Sequence, residues 1–134
     1  MKKTATILLC GLGLLAAVPA KADPARDAIL KDYATAAGVT SFSAEAGKTL
    51  FQANHTGGKP DTPSCTTCHT ADPRQAGKSR VGKPIEPMAV SANASRFTDA
   101  AKVEKWFRRN CTSVIGRECT AEEKGNIITY LSSL

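Results

Sequence analysis

Five residues constrain this chain more than any others: Cys65-Thr66-Thr67-Cys68-His69. C-x-x-C-H is the attachment signature of a c-type haem. Thiols two residues apart can each add to one porphyrin vinyl group, and the following histidine is held beneath the iron as proximal ligand. The flanks, Thr62-Pro63-Ser64 and Thr70-Ala71-Asp72-Pro73, read as loop. A thioredoxin-like reading needs a βαβ context, and no convincing strand pattern is present. A zinc reading needs a fourth ligand, for which His55 is the candidate, and adjacent Cys68 and His69 converge poorly on a tetrahedral ion.

Residues 1–22 read as a cleaved signal peptide. Lys2 and Lys3 form a basic start, Ala5 to Val18 an apolar run, and Ala20-Lys21-Ala22 the cleavage site. Cys10 lies inside the apolar run and is discarded with it. The run is too short for a confident membrane span, and nothing later resembles one. Export to the periplasm is the expectation. Removing 22 of 134 residues leaves 112, one domain over 23–134. The formal charge of +6 falls to +3, because Lys2, Lys3 and Lys21 leave and 15 Lys and Arg then face 12 acids. With no basic run interleaved with aromatics, nucleic acid is not an expected partner. A weakly positive rim suits an acidic redox partner. So small a domain, poor in aromatics, needs apolar mass from a cofactor, so the apoprotein is expected to fold poorly.

The mature chain reads as all-α, about four helices without a sheet. Asp23 caps a first helix with Pro24 in its first turn, ending near Ala37 at Gly38, with Ile29, Leu30, Tyr33 and Ala37 as its apolar stripe. A second starts near Ser43 and runs to about Ala53. Its Gly47 costs about 1 kcal/mol relative to Ala, which close helix–helix approach would offset. Residues 54–64 form a polar loop in which His55 reads as a surface side chain. Residues 70–97, with Pro73, Gly77, Gly82 and Pro84, make a loop long enough to require something to wrap. Thr98 caps a third helix over Asp99 to about Asn110, whose Val103, Trp106, Phe107 and Asn110 share a buried face. Thr120 to Glu123 is a capping box for the last helix, with Ile127, Ile128, Leu131 and Leu134 as its stripe and Tyr130 beside it.

Gly47-x-x-x-Phe51, the pentapeptide, a wrapping loop and a last helix with Tyr130-Leu131 resemble class I cytochromes c. Residues 56–69, Arg96-Phe97-Thr98-Asp99, 103–111 and 113–120 look more narrowly like the sphaeroides haem proteins, oxygen-binding monohaem cytochromes c with an asparagine axial ligand. The resemblance implies a class I cytochrome c-like fold wrapped around one haem c held by Cys65 and Cys68. It implies His69 and Asn110 as iron ligands and a Cys111–Cys119 disulfide. It further implies O2, NO or CO as small ligands of the reduced haem and a dihaem cytochrome c as redox partner.

Two residues compete for the sixth position. Met88 is the usual kind of ligand in class I cytochromes c, and its soft thioether suits ferrous iron. It also reads as packing. Asn110 on a buried face leaves an amide whose missing partner costs about 1–3 kcal/mol. It reads either as a helix C-cap or, as the resemblance implies, as an iron ligand. Two cysteines left over in an exported protein normally pair, and here that would fix the backbone next to Asn110. Three classes follow: a gas-binding cytochrome that passes electrons, a His69/Met88 carrier, and an enzyme using an open iron position, such as an oxygen or nitric oxide reductase. No acid–base pair near the ligand loop is identifiable. Arg108, Arg109 and Glu118 read as solvent-facing or as propionate partners, and Trp106 as a propionate donor or core packing.

Overall fold

The computed structural model describes residues 22–134. The signal segment expected over 1–22, Cys10 included, lies outside the described residues apart from Ala22. Among the described residues there are five helices: α1 (Pro24–Ala37), α2 (Ala44–Gln52), α3 (Thr66–His69), α4 (Ala100–Val114) and α5 (Ala121–Ser132). The four long ones begin where side-chain oxygens satisfy first-turn amides. Asp23 accepts from Ala25 and Arg26, Ser43 from Ala46, Asp99 from Lys102, and Thr120 from Glu123. At the other end of α1, Gly38 takes the left-handed conformation (φ 69°) and donates to the Ala34 and Thr35 carbonyls.

The crossing of α2 and α5 is the centre of the fold. A β-carbon at Gly47 would collide with the Asn126 carbonyl, so only glycine lets the two backbones meet here. Asn126 in turn accepts from the Ser43 amide at 2.7 Å. One turn along, Phe51 packs on Tyr130 with ring centroids 5.9 Å apart. Phe51, Ile127, Tyr130 and Leu131 make one core cluster, and Ile29, Tyr33, Val103 and Ile128 a second. Tyr33 on α1, Glu104 on α4 and Lys124 on α5 tie three helices together, since Glu104 accepts from both the Tyr33 hydroxyl and the Lys124 ammonium. Burial pushes Glu104 up, but those two hydrogen bonds together with the Lys124 and Arg108 charges outweigh it and hold the carboxyl below its ordinary range.

The sequence expectations need five corrections. A two-residue antiparallel ladder, β1 (Gly77–Lys78) with β2 (Pro84–Ile85), interrupts the wrapping loop. The α4 cap is Asp99, not Thr98, whose hydroxyl donates to the Ser95 carbonyl instead. The same helix runs four residues past Asn110, with Ile115 as its C-cap. His55 is half-buried, its Nε2 3.1 Å from the Leu50 carbonyl, rather than a surface side chain. On α1 the most buried stripe member is Arg26, whereas Leu30 and Ala37 are only half-buried.

Candidate functional site

The loop over residues 54–64 is pinned before it reaches the cysteines. Lys59 donates its amide to the Ser113 carbonyl at 2.7 Å, and the buried Thr62 hydroxyl reaches the same carbonyl at 3.2 Å. Ser64, also buried, donates to the Phe51 carbonyl and accepts from the Thr66 amide. The chain then turns once. Cys68 and His69 donate their amides to the Cys65 carbonyl at 3.3 and 3.0 Å. Positions i, i+3 and i+4 of such a turn share a face, which puts Cys65, Cys68 and His69 on one wall. Behind it, Gly77 lies so close to the Cys68 carbonyl that no side chain fits.

That wall belongs to a cavity of about 1350 Å³, also lined by Phe51, Met88, Arg96, Phe97, Val103, Trp106, Phe107 and Asn110. Small-molecule pockets measure roughly 300–1,000 Å³, so a large ligand is accommodated. The α4 stripe therefore lies between core and cavity: all four residues line the cavity, and Val103 and Phe107 also pack on the core clusters. Val103 is buried, Phe107 and Asn110 are half-buried, and Trp106 is 45% exposed with the Arg109 guanidinium 5.1 Å from its ring centre. Arg108 and Arg109 are exposed on the rim, while Glu118 lies outside the lining.

The chemistry of the wall fits a covalently attached haem. The Nδ1 atom of His69 is buried without a hydrogen-bond partner. Burial first, and the Arg96 charge second, lower its pKa to about 4, so the imidazole is neutral and able to ligate a metal. Burial pushes the Cys65 thiol up to about 11. A thiol redox motif works the opposite way, by lowering a cysteine pKa. Among the described residues no three His, Cys, Asp or Glu side chains converge on a metal position, which leaves the zinc reading without support.

The two competing residues occupy different surroundings. Met88 donates its amide to the Pro73 carbonyl at 2.9 Å and packs against the cluster containing Phe51. The Phe51 ring lies 6.2 Å from the His69 imidazole. Asn110 is in mid-helix, so the C-cap reading fails. Its carboxamide takes part in none of the side-chain hydrogen bonds among the described residues, and it lines the cavity. The next residue, Cys111, is bonded to Cys119. Sequence reasoning missed Arg96, Arg26, Ser64 and Thr62. Cations on amphipathic segments and hydroxyls in turn-rich loops read as solvated, and no local pattern marks them otherwise.

A family described as Domain of unknown function (DUF1924) matches residues 37–131. The cytochrome c-type protein SHP of Cereibacter sphaeroides is 54% identical over 105 residues, 78% of this chain and 81% of that protein. The structure of oxidized SHP, described as an oxygen binding cytochrome c, superposes with a TM-score of 0.78 at 52% identity, covering 81% of this chain and 96% of that one. A solution structure of cytochrome c'' from Methylophilus methylotrophus, which addresses haem-ligand detachment, superposes with a TM-score of 0.66 at 33% identity, covering 79% and 90%. Such relatives imply a covalently bound haem c. The chain belongs to the family of the cytochrome c-type protein SHP and has its cytochrome c-like helical fold.

Proposed function

We propose that the chain is a periplasmic monohaem c-type cytochrome that passes electrons and binds O2, NO or CO at the reduced haem. Cys65 and Cys68 would hold the haem through thioethers, and His69 and, in the oxidised form, Asn110 would be its iron ligands. When bound, the haem supplies an iron that accepts and returns one electron. The observation that carries the reading is the unpartnered Asn110 carboxamide in mid-α4, facing the same cavity as His69. The relatives support it: SHP is described as oxygen binding, and the cytochrome c'' work concerns haem-ligand detachment.

An amide is a hard, neutral, weak donor, better matched to ferric than to ferrous iron. Asn110 would therefore hold ferric iron better than ferrous, and its release on reduction would leave room for a diatomic ligand. The Cys111–Cys119 bridge and the Ser113 carbonyl, which takes the Lys59 amide, keep the backbone around Asn110 fixed while only the side chain moves. A dihaem cytochrome c is the proposed redox partner. The alternative is a carrier with permanent His69/Met88 ligation; Met88 packs on the cluster containing Phe51, where a thioether has apolar partners, whereas the Asn110 carboxamide has no hydrogen-bond partner among the described residues and lines the cavity.

Two variants test the assignment. Asn110→Val should convert the ferric spectrum to a five-coordinate or water-bound form, and Met88→Leu should leave it unchanged. The reverse pattern assigns the sixth position to Met88.

A further inference from the structure

Arg96 differs from the other cations of the cavity wall in its burial: it is half-buried, whereas Lys59, Arg80, Lys83, Lys102, Arg108 and Arg109 are exposed. Among the described residues no carboxylate is in ion-pair contact with it, and Glu86 acts on it only from farther away. Its Nε donates to the Pro87 carbonyl at 2.8 Å and its Nη2 to the Glu86 carbonyl. The fork is thereby fixed in plane, and Nη1 has no protein partner. The backbone of the same residue is held from beneath by Arg26 on α1, only 5% exposed. Arg26 donates to the Arg96 carbonyl from Nε at 3.1 Å and Nη2 at 3.0 Å, and to the Ala94 carbonyl at 2.8 Å. The next residue, Phe97, is kept at φ 63°, a conformation that disfavours a bulky residue and persists only where surroundings dictate it. Two arginines in series thus run from α1 to the cavity wall.

Carbonyl dipoles do not neutralise a partly buried guanidinium, and a charge taken from water calls for a countercharge. A haem carries two propionate carboxylates, and a planar arginine fork matches a carboxylate in shape and charge. We propose that Arg96 binds a haem propionate in this cavity, with Arg26 as the positioning residue that aims it. The proposal rests on a haem occupying the cavity and is independent of which residue is sixth ligand. A cation on a propionate favours the ferrous form, which carries one positive charge fewer at the iron. Loss of Arg96 should therefore stabilise the ferric form.

The holoprotein variants Arg96→Leu, Arg96→Lys and Arg108→Leu, titrated potentiometrically, decide it, with resonance Raman of the propionate bending band alongside. Arg96→Leu should raise the ferric-to-ferrous ratio at the wild-type midpoint about tenfold, a 59 mV fall for one electron, and shift the bending band. Arg108→Leu, which removes an exposed rim cation, should change the ratio less than twofold and leave the band in place. If Arg96→Leu takes up no haem, Arg96→Lys carries the test, because losing the fork should shift the band even with the charge kept. An unmoved band, or an equal fall with Arg108→Leu, overturns the proposal. Carbon monoxide binding by the same variants reports on Asn110 separately.

Discussion

Single residues carry most of the specificity of this site, and two of them face opposite demands. Gly47 must be small because the α5 backbone occupies the space beside it. Gly47→Ala should lower stability by about 1–3 kcal/mol through overpacking, read from the denaturant midpoint of the holoprotein. Met88, by contrast, fills space in a core cluster. Met88→Leu is close to volume-conserving and should cost less than about 1.5 kcal/mol, with no change in haem spectrum. Gly47 was legible in the sequence, because a glycine four residues before an aromatic in a helix needs a packing reason. Asn110 was legible only as an alternative, since a pattern of apolar spacing cannot distinguish a buried face from a cavity wall. Arg26 could not be foreseen, because its partners are carbonyls about seventy residues away.

At the level of elements, helix starts were readable and helix ends less so. Asp23, Ser43 and Thr120 cap as the sequence indicates, and Thr98 misled because Asp99 next to it is equally able to cap. The end of α4 was missed because no Gly or Pro intervenes before Gly116. The β1–β2 ladder, at two residues a side, is too short for any periodicity to register. The capping box of α5 predicts an acid response. Hydrogen bonding from Arg117 and from the Thr120 backbone holds the Glu123 carboxyl below its ordinary 4.5. A depressed folded value means the contribution is whole above about 4.5 and disappears as pH falls through the folded value. Glu123 is half-buried but its partner Arg117 is exposed, so solvent screens the pair and about 0.5–1 kcal/mol is expected from the Glu123 cap. Melting curves of wild type and Glu123→Gln should differ by this amount at pH 7 and converge toward pH 3. Replacing Cys111 and Cys119 together by Ser should cost about 2.5 kcal/mol by chain entropy, with a less uniform ferric ligand signal because the backbone beside Asn110 is loosened.

Taken whole, the molecule is a helical frame built around a cavity that its own side chains do not fill. The α2–α5 crossing fixes the wall bearing His69, and α4, fastened by Glu104 near one end and Cys111 near the other, supplies the wall bearing Asn110. The two walls are tied to each other by the Lys59–Ser113 and Glu104–Lys124 contacts, so the frame stays fixed and the account requires only the Asn110 side chain to move. The central claim is that Asn110 gives up its position when the protein is reduced. Optical spectra of the dithionite-reduced holoprotein, before and after carbon monoxide, test it most directly. The account predicts a high-spin reduced form that shifts at once on adding the gas. A low-spin reduced spectrum that carbon monoxide leaves unchanged would contradict it.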